Sequence, residues 1–163
     1  MVRRILLLGL CGVALALPAR AQNFPGPGCS EVSGRLNEFI LQQAAAPVDP
    51  FGRIVGTVKG SLQGATTAFL TSLTPAGGGD LRLTINDVIA TSEGAIIYTV
   101  GAAYWTYISD GFYQVDATLA IAGGTGKYGN ATGSLHYLGV GNHIGPGTGQ
   151  FVQEYRGRLC LNQ

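Results

Sequence analysis

The segment from Ile121 to Gly133, IAGGTGKYGNATG, constrains this chain more than any other stretch. Five glycines fall between positions 123 and 133, with a single aromatic, Tyr128, among them. Glycines at that density relieve Cβ clashes where the backbone must take positive φ or pass close to another strand. Tyr128 gives the turn one large side chain to insert into a core. Strand-like runs flank the segment on both sides, so it reads as the corner of a small barrel. Gly123, Gly124, Thr125, Gly126, Tyr128 and Gly133 form the structural turn. A phosphate loop would end in Lys-Ser or Lys-Thr and open a helix, whereas this segment does neither.

The rest of the chain from Phe51 onward agrees with that reading. Thr, Val, Ile and Tyr are enriched, and Gly or Asp marks the turns. Strands are expected near 53–61, 65–73, 81–90, 95–108, 112–122, 132–140 and 149–161. The connections are short: Gln63-Gly64, Pro75 to Asp80, Ser92 to Gly94, Asp110-Gly111, the glycine corner, and Gly141 to Gly147. Short links favour antiparallel neighbours in sequence order. The expected fold class is all-β, a small antiparallel up-and-down β-barrel of seven to eight strands with one short N-terminal helix, in preference to a sandwich. Tyr113, Val115, Ala117, Leu119 and Ile121 alternate with a more polar face. Residues 95–108 are apolar on both faces, so the outer one needs a cover. The helix or a second copy of the chain would supply it, which is a reason to expect a homo-oligomer.

The N-terminus reads as a targeting segment. Arg3 and Arg4 precede an apolar run from Ile5 to Leu17, Pro18 breaks it, and Ala19-Arg20-Ala21 fits small-x-small cleavage. The run is too short for a stop-transfer helix, so no membrane-spanning segment is expected. A twin-arginine signal would need Ser or Thr before the pair, and lipidation at Cys11 would need a small residue where Leu10 stands. The expected organisation is a removed signal at 1–21, a leader and amphipathic helix at 22–50, and a barrel domain at 51–163. The helix is placed at 31–45, with Ser30 as N-cap, on the spacing of Val32, Leu36, Phe39 and Ile40, with polar Asn37, Glu38, Gln42 and Gln43 between them, and on the stops at Pro47 and Pro50. The expected destination is the bacterial periplasm or the exterior.

Removing 21 of the 163 residues leaves 142, a single-domain length. Of ten basic residues, three lie in the leader, leaving seven against nine acidic ones and a net charge of −2. The basic residues are scattered, so no nucleic-acid partner is expected. Cys29 and Cys160 survive processing, and an exported chain with two cysteines is expected to join them. Two unpaired buried thiols are the alternative. Neither the cysteines nor His136 and His143 have metal-ligand spacing, and no cofactor motif is present.

Candidate chemistry is sparse. Asp87 shares the face of Leu81, Leu83, Ile85 and Ile89. As an interior acid it would suit acid–base work, whereas a bulge at Asn86-Asp87 would turn it to solvent. His136 is a second catalytic candidate, against an exposed strand histidine. Tyr98, Tyr104, Trp105, Tyr107 and Tyr137 are the candidate ligand-binding set, against packed core. Asp116, Glu154, Arg156 and Arg158 read as an outer charge ladder. No Ser-His-Asp order with nucleophile-elbow glycines is present, which disfavours ordinary hydrolases.

The run Gly123-Gly124-Thr125-Gly126-Lys127-Tyr128-x-x-Ala131-x-Gly133 resembles the Gly-Gly-Thr-Gly-x-Phe/Tyr-x-x-Ala-x-Gly signature of the allene oxide cyclase and dirigent superfamily. Tyr155-Arg156-Gly157-Arg158-Leu159 is similar to that family's aromatic-x-Gly ending. Dirigent proteins commonly carry Arg where Thr132 stands here. The resemblance implies an eight-stranded barrel whose apolar lumen orients a reactive ligand such as a phenoxy radical, a fatty-acid epoxide or a polyketide chain. It also implies few acid–base groups, since positioning alone lowers barriers. The functional expectation is therefore an exported barrel that binds a small apolar ligand and directs its cyclisation or coupling. The alternative is a structural or interaction module with a side-chain-filled barrel.

Overall fold

The computed structural model describes residues 28–41, 52–145 and 148–162. The expected signal at 1–21 lies outside them, as do residues 22–27 and 42–50 of the expected leader and helix. Eight strands close an antiparallel barrel in sequence order: β1 (Cys29–Leu41), β2 (Arg53–Gly60), β3 (Gly64–Gly77), β4 (Asp80–Thr91), β5 (Ile96–Ser109), β6 (Phe112–Gly124), β7 (Thr132–Gly145) and β8 (Thr148–Cys160). Closure leaves no sheet edge unpaired. Seven of the strands fall where the β pattern placed them.

The eighth is the correction. The expected helix at 31–45 is strand as far as Leu41, paired with β2 on one side and β8 on the other, and residues 42–45 lie outside the described set. Val32, Leu36 and Ile40 stand four apart, a spacing that fits a helical stripe and also every second inward position of a strand. The intervening inward positions are Gly34 and Glu38, which hid the period of two. Phe39, the residue that made the helical stripe convincing, points outward. Pairing with two neighbouring strands decides between the two periods, and the barrel needs this strand to close.

The interior is filled from every strand, with Leu36, Ile97, Leu119, Leu135, Phe151 and Tyr155 among its most deeply buried members. One end is sealed by the glycine corner. Gly123, Gly126 and Gly133 adopt positive φ, and a Cβ on Gly133 would lie 1.9 Å from the Arg158 carbonyl oxygen. A single 3₁₀ turn, Gly126–Tyr128, folds Tyr128 into the core beside the buried Leu62 and Ala131. Thr125 ties the corner to β5, its N–H donating to the Ile96 carbonyl and its hydroxyl accepting from the Ile96 N–H. At the same end Cys29 and Cys160, partners across the β1–β8 seam, form a disulfide that joins positions 131 residues apart.

Candidate functional site

Asp87 faces the barrel interior. The ladder runs unbroken through Asn86 and Asp87, and the irregularities of this strand pair lie at Leu70/Ser72 and Pro75/Gly77. The bulge that would have turned Asp87 to solvent is therefore absent, and the residue is 1 % exposed. Its Oδ1 accepts from Thr66 Oγ1 at 2.6 Å, and its Oδ2 accepts from the Tyr137 hydroxyl at 2.9 Å.

A second carboxyl group, which sequence reasoning assigned to the polar side of a helix, completes the site. Glu38 on β1 is 3 % exposed, and its Oε2 accepts from Gln153 Nε2 at 2.6 Å. Its side chain crosses over Gly56 of β2, where a Cβ would come within 2.7 Å of the Glu38 Cγ. Beyond Gly56 the ladder continues to Thr66, the residue that bonds Asp87. Tyr137 reaches Asp87 from β7, and its ladder neighbours on β6 and β5 are the small Ala117 and Ala103. Gln153 is accommodated by Gly139 in the same way. Small residues thus lie beneath each long polar arm, and the arms converge across the interior.

The electrostatics follow from burial. Desolvation, and then the nearby Asp87 charge, push Glu38 up to about 8, with the Gln153 amide opposing weakly. Burial also raises Asp87, but three donors favour its charged form: Thr66, Tyr137 and the Val88 backbone N–H. Burial and the Asp87 carboxylate hold the Tyr137 phenol well above its ordinary range. At neutral pH Glu38 accordingly holds a proton, whereas the donors around Asp87 oppose the effect of its burial. Paired groups whose surroundings separate their roles in this way are suited to acid–base work.

The other candidates divide between the two faces. Trp105 and Tyr137 are interior, and Trp105 stacks at 4.8 Å from Phe151 and 5.8 Å from Tyr113 in an aromatic cluster towards the end opposite the glycine corner. Tyr98, Tyr104 and Tyr107 are exposed, so they do not line the interior. Tyr104 instead donates to Asp80 at 2.7 Å on the outer wall, and the Tyr107 ring meets Tyr113 edge-on. His136 is also outside: its Nε2 lies 2.8 Å from Asp116 of the neighbouring strand, which removes it as an interior acid.

Two described grooves lie on the outer wall. One of about 810 Å³ includes Arg35, His136, Leu138, Val140, Val152 and Arg156, and another of about 630 Å³ includes Arg82, Tyr104, Asp116 and Thr118. Neither contains Glu38 or Asp87. Among the described residues no group of three metal-ligating side chains converges, and no helix is long and apolar enough to cross a membrane. Compared with protein-family models, curated proteins and solved structures, the chain gives no match.

Proposed function

We propose that this protein is an exported barrel that takes a small, largely apolar molecule into its interior and directs its cyclisation or coupling, with Glu38 and Asp87 as the acid–base pair. One observation carries the reading: two carboxyl groups, Glu38 and Asp87, are both buried inside a largely apolar barrel. Burial is costly for such groups, and for Glu38 the shift to about 8 sets about 5 kcal/mol against its ionised form. A barrel selected only for stability would gain from replacing them with apolar side chains. Protonated Glu38 would donate to a developing oxyanion, and Asp87 would accept a proton from the ligand. Trp105, Tyr113 and Phe151 would hold the apolar body. Entry is from the end opposite Tyr128, since the glycine corner plugs the other.

Kinship with the allene oxide cyclase and dirigent superfamily belongs to the same proposal, supported by the corner motif and the eight-strand count. Export is supported by the leader pattern and by a disulfide compatible with an oxidising compartment. Association into a homo-oligomer is supported by the exposed apolar Val100, Ile108, Phe112 and Val140 on the outer wall.

A structural module is the second reading. The specific support for it is that the hydrogen bonds of Glu38 and Asp87 all run to the barrel itself, as in a cross-brace. Native mass spectrometry of the mature protein purified from its producing cell separates the two. A retained small molecule, released on denaturation and absent from a Glu38→Gln/Asp87→Asn variant, is the expected result. A bare wild-type barrel that also takes up no small aromatic probe would leave only the brace.

A further inference from the structure

Thr99 contributes a polar atom that the cross-brace does not use. It is 1 % exposed, and its Oγ1 is buried with no hydrogen-bond partner. Buried hydroxyls are ordinarily paired, and leaving one unpaired costs stability. Its position is specific. Thr99 stands directly opposite Asp87 in the β4–β5 ladder, on the same inward face. Directly opposed residues of an antiparallel pair have adjacent side chains.

The acceptor count on Asp87 is incomplete. A carboxylate offers about four lone-pair positions. Thr66 takes one on Oδ1, Tyr137 one on Oδ2, and the Val88 N–H a third. The site therefore presents a free hydroxyl next to a carboxylate with an acceptor position left. A ligand hydroxyl satisfies both, donating its hydrogen to Asp87 and accepting from Thr99. A ketone or ether oxygen could accept from Thr99 only, with its lone pairs turned towards the Asp87 oxygens. A hydrocarbon would leave both groups unpaired. Around this spot the walls are apolar, with Ile97 beside Thr99 on β5 and Ile121 opposite it on β6.

We infer that Thr99 is the specificity-determining residue of the interior site, and that the ligand is a compact apolar molecule bearing a hydroxyl group, which Thr99 and Asp87 read together. This rests on the proposed ligand-binding interior and names the chemistry it selects.

The test uses the mature disulfide-bonded protein and two isosteric probe pairs, 2-naphthol with 2-methylnaphthalene and phenol with toluene. Affinities are measured by calorimetry and by Trp105 fluorescence. Wild type should bind the hydroxylated member of at least one pair at least about tenfold more tightly than its methyl isostere. Thr99→Val keeps the side-chain shape, should erase that preference and should leave the methyl probe's affinity unchanged. Thr99→Ser should retain the preference. With the unpaired hydroxyl gone, ligand-free Thr99→Val should also melt about 4 °C higher than wild type. If Thr99→Val still prefers the hydroxylated probe, or melts lower than wild type, or if wild type binds both members equally, the assignment of Thr99 is wrong while the binding interior stands. If wild type binds no probe of either pair, the binding interior itself is refuted.

Discussion

Glu38→Gln should remove much of the pH dependence of this barrel's stability between 5 and 9, where the wild type should lose stability steadily. The folded state holds the Glu38 proton up to about pH 8, against an ordinary value of 4.5. Protonation therefore favours folding. The contribution is fully present below about pH 4.5 and is lost as pH rises through about 8. The shift of about 3.5 pH units corresponds to about 5 kcal/mol at saturation, from 1.36 kcal/mol for each unit. That figure is a ceiling, because local opening that admits water relieves the buried charge. A loss of about 3–5 kcal/mol is nonetheless a large share of the 5–15 kcal/mol by which domains are usually stable.

Glutamine preserves the volume, and its carbonyl still accepts from Gln153, so the substitution removes the titration and little else. Urea unfolding at pH 5, 6, 7, 8 and 9 would measure the effect. Trp105, the single tryptophan and 3 % exposed inside the barrel, is the natural reporter. Wild type and variant should agree to within about 1 kcal/mol at pH 5 and separate progressively, with the variant the more stable at pH 9. A wild type that is equally stable at pH 5 and pH 9, or a Glu38→Gln protein that declines in parallel with it, would refute the placement of a protonated glutamic acid in the interior.

The remaining expectations concern the frame around the site. Replacing both Cys29 and Cys160 with alanine releases a closed loop spanning 131 residues and should destabilise the barrel by about 5 kcal/mol on the chain-entropy account, read as a lower urea midpoint. Tyr128→Ala empties the plug of the sealed end and should cost about 3–5 kcal/mol in the same assay, whereas Tyr98→Ala, on the outer wall, should cost far less. Asp80 accepts from the Tyr104 hydroxyl and the Tyr107 N–H, and the Tyr104 bond above all holds its carboxyl below the ordinary range. Its stabilising contribution should be present above the ordinary carboxylate value and fade as pH falls through the lowered one. An NMR titration showing an unshifted Asp80 would contradict those bonds. His136→Ala should leave probe binding to the interior unchanged, and a loss of binding would mean that the groove bearing His136 is the true site.

How much of this was legible in the sequence depends on the range of the interactions involved. The glycine corner is local, since positive φ at Gly123, Gly126 and Gly133 and a single aromatic at the right offset state the turn within a few residues. The period of two made β2 through β8 visible for the same reason. β1 was not visible, because Gly34 and Glu38 occupy inward positions where an apolar residue would have shown the alternation. The error about Glu38 followed directly from the error about β1. His136 shares a face with Ser134 and Leu138, and that face proved to be the outer one. On β5 both faces are apolar, so parity alone separated Tyr98 and Tyr104 from Trp105 without saying which set lies inside.

What joins Glu38, Asp87, Tyr137 and Gln153 is the stagger of the closed barrel, which no short window encodes. Tyr137 and Asp87 are 50 residues apart in the chain, and Gln153 and Glu38 are 115 apart. A trace of that arrangement does exist in the sequence, as compensation. Glu38 passes over Gly56, Gln153 sits against Gly139, and the Tyr155 ring occupies the space that a Cβ on Gly34 would need. Gly34, Gly56 and Gly139 are the register partners of Tyr155, Glu38 and Gln153, whereas the inward Gly101 and Gly157 pair with aliphatic residues. A glycine within a strand weakens it unless a neighbour fills the volume. Where an inward glycine faces a long polar or aromatic residue, as at these three positions, it makes room for that side chain to cross from the adjacent strand. The three surround the polar centre and mark its location.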